Sequence, residues 1–93
     1  MKDLDPLLHN QLRLAIMSLL VANEQISFNF ILEKTEASRG NVSVQISKLE
    51  KAGYLKVKKS FVNKKPLTTM TITSDGLDAM DNYTKALKDY LNI

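Results

Sequence analysis

The chain has 93 residues, 44% of them hydrophobic, with 13 basic and 10 acidic side chains and a net charge of +3. That length suits one small domain with a thin core, a size at which burial against a second copy is a common reinforcement. The absence of cysteine excludes disulfides, thiolate metal sites and cysteine nucleophiles, and fits a reducing compartment.

The opening segment, MKDLDPLLHN, lacks the basic-then-apolar order of a secretory leader, and no apolar run approaches the roughly 20 residues that cross a bilayer. The protein is therefore expected in the cytoplasm, away from membranes. Asp5-Pro6 has the composition of a helix start, and Asn10 offers a second cap. Residues 6–9 are thus expected as a short lead-in turn before a first helix. In that helix Leu12, Ala15, Ile16, Leu19 and Leu20 recur at helical spacing. Ile26 suits a short strand, and Ser27 caps a second helix whose Phe28, Ile31 and Leu32 face the same core. Glu36-Ala37 makes a tight turn. Ser38 then caps a third helix, which buries Val42, Ile46 and Leu49 and stops at Gly53, a residue suited to a left-handed C-cap.

After Gly53 the period changes to two. Residues 54–62 alternate as a half-buried strand, 63–66 form a polar turn, and 67–73 return as the partner strand. Thr73 or Ser74 caps a last helix with Asp75 and Asp78 in its first turn, favourable to the dipole. The order helix, helix, helix, hairpin, helix predicts a mostly α fold with a small β-hairpin. It forms one domain over 1–93, of which 74–93 is the C-terminal helix. The second and third helices read as a helix-turn-helix.

Charge is partitioned along this plan. Residues 38–72 hold eight bases (Arg39, Lys48, Lys51, Lys56, Lys58, Lys59, Lys64 and Lys65) against one acid, Glu50, a net +7; the rest holds five against nine, a net −4. A cationic helix followed by a cationic hairpin is the electrostatic footprint of a surface that meets a phosphate backbone.

Two linked motifs carry a resemblance over nearly the whole chain. The first is Gly-Asn-Val-Ser-x-x-Ile-x-x-Leu-Glu-x-Ala-Gly-Tyr, from Gly40 to Tyr54. The second is Lys-Ser-Phe-Val-x-x-Lys-Pro-x-Thr-x-x-x-x-Thr, from Lys59 to Thr73. The chain resembles small winged-helix transcriptional regulators allied to the MarR and ArsR families. That resemblance implies a winged helix-turn-helix: a three-helix core, a β-wing and a C-terminal dimerisation helix. It also implies a homodimer and a third helix used in the DNA major groove. The chain departs from metal-sensing relatives in lacking cysteine and in holding His9 as its one histidine, so no cofactor or metal is expected. It is too short for much of the ligand pocket of larger relatives, and any small-molecule effector is left open.

With Val42, Ile46 and Leu49 turned inward, the rest of the third helix presents Ser38, Arg39, Gly40, Asn41, Ser43, Val44, Gln45 and Lys48. Arg39 suits guanine, Asn41 and Gln45 suit adenine, and Val44 suits a thymine methyl. Ser38, Ser43, Lys48 and Lys51 suit phosphates. Gly40 either lets backbone approach DNA or is a helix-start glycine without contact. In the wing, Lys58, Lys59, Lys64 and Lys65 favour phosphate attraction over base reading. The plainer reading is that they guard a sheet edge against aggregation, which leaves the basic helix beside them unexplained.

Leu77, Met80, Tyr83, Leu87, Tyr90 and Leu91 form a stripe larger than one small domain usually buries, so the last helix is expected to self-associate, with Leu4, Leu7 and Leu8 completing the interface. Packing on the first helix is the alternative. A twofold dimer sets two recognition helices about 34 Å apart and predicts an inverted-repeat operator in double-stranded DNA. His9 is expected to be a satisfied structural residue, and Arg13 to hold a carboxylate or helix end rather than a phosphate. No nucleophile–base set, phosphate-cradling loop or metal cluster points to an enzyme. Two other readings stay open, because fold alone does not set function: a winged-helix adaptor for protein partners, and a non-specific chromosome-coating protein.

Overall fold

The computed structural model describes residues 3–93; Met1 and Lys2, the first residues of the expected single domain, lie outside the described residues. Its elements are α1 (Gln11–Ala22), β1 (Ile26–Ser27), α2 (Phe28–Thr35), α3 (Arg39–Lys51), β2 (Leu55–Val62), β3 (Lys65–Ile72) and α4 (Ser74–Leu91). The antiparallel sheet has the order β1-β3-β2. This is the winged-helix plan, with three helices on one side and the β2–β3 hairpin as the wing.

Each helix begins where a short polar side chain satisfies a free N–H of the first turn. Asn10 accepts from Arg13 N, Ser27 from Phe30 N, Ser38 from Asn41 N and Thr73 from Gly76 N. Asp5 does the same for the lead-in turn, accepting from Leu7 N at 2.9 Å. Glu36, in the left-handed region at φ 57°, ends α2 by donating its N–H to the Leu32 carbonyl. Gly53, at φ 79°, reverses the chain after α3.

Helix α1 is the hub, packing on α2, α3, β3 and α4. Ile16, Met17 and Leu20 are its buried residues, whereas Leu12, Ala15 and Leu19 lie on a half-exposed flank. Met17 falls outside the single stripe read from spacing because a helix enclosed by several neighbours buries more than one face. Val42, Ile46 and Leu49 of α3 close on this hub together with Ile31, Leu55 and Met70.

The hairpin corrects one expectation. Its turn is the two residues Asn63-Lys64, with φ 52° and 65°, not the four residues 63–66. Positive φ at both central positions gives a turn whose twist matches the strands, and Asn tolerates it well. Pro66 therefore sits inside β3, opposite Phe61 and next to the closing pair Val62–Lys65. Antiparallel pairs alternate between bonded and non-bonded, so the missing Pro66 N–H takes nothing from the β2–β3 ladder.

At the other end, the start of α4 abuts the start of β2. Thr73 N and Oγ1 donate to the carbonyls of Tyr54 and Gly53. Gly76 is required by this contact, since a Cβ there would lie 2.1 Å from the Tyr54 carbonyl oxygen.

Two residues assigned to the expected dimer face belong to the protomer's own core instead. Leu8 is 0% exposed and Tyr83 5%, because the lead-in turn folds under α4, where His9 Nδ1 and the Tyr83 hydroxyl are 3.0 Å apart.

Candidate nucleic-acid interface

At 100° per residue, the inward set of α3 leaves a crest and two flanks. Gly40, Val44 and Lys51 form the crest. Arg39, Ser43, Ser47 and Glu50 occupy the flank toward the wing, and Asn41, Gln45 and Lys48 the flank toward α1. All of these but Gln45 are exposed. Val44, at 51%, holds an apolar side chain in water on the crest. Ser38 lies at the helix start, where its hydroxyl accepts from Asn41 N at 3.1 Å, which leaves its own O–H to donate. The first-turn N–H groups point out of the same end.

Between α3 and the hairpin runs a cleft of about 310 Å³, lined by Phe28, Arg39, Ser43, Ser47, Glu50, Val57, Lys59 and Thr68 among others. The Arg39 guanidinium stands 5.2 Å from the centre of the Phe28 ring, a stacked placement that holds the charge at the cleft mouth. Pro66 adjoins Phe28 and Arg39 in a neighbouring hollow, so cleft and wing form one continuous surface.

The period of two divides the wing lysines. Lys59 shares a sheet face with Leu55, Val57 and Phe61 and looks toward α3, whereas Lys58, like Lys56, projects from the other face. Lys64 sits at the apex of the turn, and Lys65, opposite Val62, is on the Lys58 side. The four expected wing lysines are thus close in sequence but do not present one common face. Among the described residues the recorded ion pair is Lys85–Asp81 on α4, so the wing charges are not neutralised by a salt bridge to a carboxylate.

Gln45 is held by two hydrogen bonds. Its Oε1 accepts from the Arg13 guanidinium and its Nε2 donates to Asn41 Oδ1 at 2.9 Å. Each end of the amide is engaged once, which leaves one N–H and one oxygen lone pair of Gln45 for another partner. Arg13 also donates through Nε to the Leu7 carbonyl, and so ties the lead-in turn to α3 instead of holding a carboxylate. Asn41 keeps its own amide N–H groups free. The sequence reading missed the Arg13–Gln45 bond because its partners are 32 positions apart. It also missed the exposure of Phe61, although the alternation that placed Val57 and Lys59 also places Phe61 on the α3 side.

Tyr54, next to Gly53, donates its hydroxyl to Asp5 Oδ2 at 2.6 Å. That bond, then burial, then the negative charges of Asp5 and Asp75 push the phenol up to about 12. Among the described residues no group of three or more His, Asp and Glu side chains is placed to hold a metal ion. No helix is long and apolar enough to cross a membrane.

Comparison with known proteins places this geometry. A family model described as a winged helix DNA-binding domain matches residues 12–91. An uncharacterized protein of Methanocaldococcus jannaschii is 35% identical over 71 residues, covering 76% of this chain and 77% of its own. The solved structure of a transcriptional regulator homologue from Pyrococcus horikoshii OT3 is 28% identical, with a TM-score of 0.86 over 92% of this chain and 85% of that one. The adhesin competence repressor of Streptococcus pyogenes shares the fold at 19% identity, with a TM-score of 0.69 over 89% of this chain and 60% of that one.

Proposed function

The chain belongs to the winged-helix DNA-binding domain family, and from that premise we propose that it is a homodimeric transcriptional regulator, acting as a repressor by reversible occupancy of a short inverted-repeat operator. The observation that carries this reading is the continuity of the α3 crest, the Lys59-lined cleft and the hairpin within a segment of net charge +7. In it, the crest of α3 enters the major groove. Asn41 and Arg39 contact base edges, Val44 meets a thymine methyl, and Ser38, Ser43 and Lys48 hold phosphates. Gly40 leaves open space at the crest, with nothing within 4 Å of a Cβ built there, so a sugar-phosphate chain can come close to the backbone. Lys59 and Lys64 attract the backbone beside the groove, while Lys58 and Lys65, on the far side of the wing, add to the field around it.

The dimer is supported by apolar surface on α4. Leu77 and Tyr90 are each 47% exposed and Leu91 is 59%, with Leu4, Leu7, Met80 and Leu87 half-buried beside the core. Pairing this helix across a twofold axis would set two α3 crests about 34 Å apart, one turn of duplex.

Selection of genomic fragments with the purified protein, sequenced and repeated at two salt concentrations, tests the reading. Enrichment of one inverted-repeat motif that persists at the higher salt is the expected result. Salt-sensitive binding to all fragments alike would indicate a chromosome-coating protein, and no binding to duplex would leave the adaptor reading in its place.

A further inference from the structure

We propose that the wing tip is an apolar wedge: Phe61, backed across the hairpin by Pro66, enters the minor groove next to α3 and unstacks a base step, so that the protein bends its DNA. The proposal rests on the regulator reading above and adds to it a residue and a deformation.

Phe61 is 77% exposed and Val62 52%, large apolar side chains held in water at the end of an eight-residue strand. The two-residue turn and the ring of Pro66 opposite restrict the backbone there, so Phe61 is presented and not free to fold back. Lys59 shares its face of the sheet and Lys64 sits at the apex of the turn, while Lys58 and Lys65 project from the opposite face. An apolar side chain with one cation beside it on its own face and another at the turn suits a partner that is anionic at its rim and flat and apolar within. Stacked bases between two sugar-phosphate chains have that character. Position settles the choice between this and other anionic surfaces. Phe61 is on the α3 side of the sheet, two residues beyond Lys59, which is about 7 Å along the strand. With α3 in a major groove and Lys59 at the phosphate ridge, that step carries Phe61 over the ridge toward the adjacent minor groove, about 6 Å wide. Phe and Pro are among the side chains that wedge base steps open, with kinks of roughly 20–90°. Flexible pyrimidine–purine steps open most readily.

The test uses the full chain, Phe61→Ala and Phe61→Leu, on a duplex obtained by the selection above. The duplex carries a donor–acceptor pair at its ends and 2-aminopurine at pyrimidine–purine steps beside the α3 site. Wild type is expected to shorten the end-to-end distance and to brighten 2-aminopurine at one step per half-site. Phe61→Ala is expected to abolish both signals while binding changes by less than about tenfold, because lost contact and avoided unstacking offset each other. Phe61→Leu should keep part of both. An unchanged melting temperature, expected for so exposed a position, separates these effects from misfolding. Wild type that binds without bend or brightening overturns the wedge and leaves the regulator reading standing. So does Phe61→Ala bending DNA as wild type does. Wild type that binds no duplex overturns both. Phe61-dependent binding to phosphatidylglycerol vesicles, with no bend in DNA, would assign the tip to a lipid surface and also overturn the wedge.

Discussion

Lys58 and Lys59 are neighbours of equal charge on opposite faces of β2, and this makes them a matched pair for locating the DNA. Replacing either with alanine removes one charge per chain, so any effect of net charge or diffuse field is the same in both variants. Only Lys59 lines the cleft beside α3. A lysine held against a phosphate contributes about 0.9 to the slope of log affinity against log salt. Between 50 and 200 mM salt, one such contact is worth about 3.5-fold in affinity, and two, one per protomer of a dimer, about 12-fold. Fluorescence anisotropy of an end-labelled selected duplex, titrated across that range, reads the slope directly. Lys59→Ala is expected to flatten it by about 1.8, and Lys58→Ala by less than half as much. The Lys58 carbonyl, which accepts a 3.5 Å contact from Thr69 Oγ1, is untouched by either change. Equal flattening in the two variants, or more in Lys58→Ala, would refute the assignment of the α3-side face of the wing to DNA.

Three further outcomes follow from local geometry. Lys64→Gly should relieve a side chain held at φ 65°, raising stability by about 1 kcal/mol and melting temperature by roughly 4–8 °C. It should also flatten the salt slope through the lost cation, so stability and affinity move in opposite directions; a lowered melting temperature would contradict the turn described here. Gly76→Ala puts a Cβ 2.1 Å from a backbone oxygen that cannot swing aside. Thermal unfolding should show destabilisation by about 1–3 kcal/mol, despite alanine's better helix propensity. A neutral result would mean that α4 does not start against Tyr54. In an absorbance titration of the three tyrosines, Tyr54 should ionise near 12, and Asp5→Asn should bring it back toward 10. Because the folded value is raised, the stability from this contact is full below pH 10 and lost as pH rises toward 12. A Tyr54 transition near 10 in the wild type would remove the Asp5 contact from the account.

Most of the architecture was legible because it is written locally. Asn10, Ser27, Ser38 and Thr73 each precede a helical apolar pattern, and each caps the helix that follows. The switch from period 3.6 to period 2 after Gly53 marks the wing, and the two motifs between Gly40 and Thr73 point to the family. What stayed hidden depends on contacts between distant segments. Leu8 and Tyr83 look like interface residues on their own elements, and only the packing of the lead-in turn under α4 takes them out of reach. Gln45 looks free until Arg13 reaches it from α1. Gly76 reads as an ordinary glycine near a helix start, and its role appears only beside the Tyr54 carbonyl. The hairpin lies between these cases: Asn63-Lys64 suits a two-residue turn, but the proline at 66 drew the expected turn outward by two positions.

The central claim, that the α3 crest and the α3 side of the wing together face DNA, is open to one direct measurement. In a ¹H–¹⁵N correlation experiment, the selected duplex is titrated into the labelled protein and the shifted amides are mapped. Shifts are expected to centre on Gly40, Asn41, Val44 and Ser47 and on Lys59 to Phe61, with the exposed Leu77 and Tyr90 of α4 unaffected. Shifts concentrated on α4 with a silent α3 would contradict it.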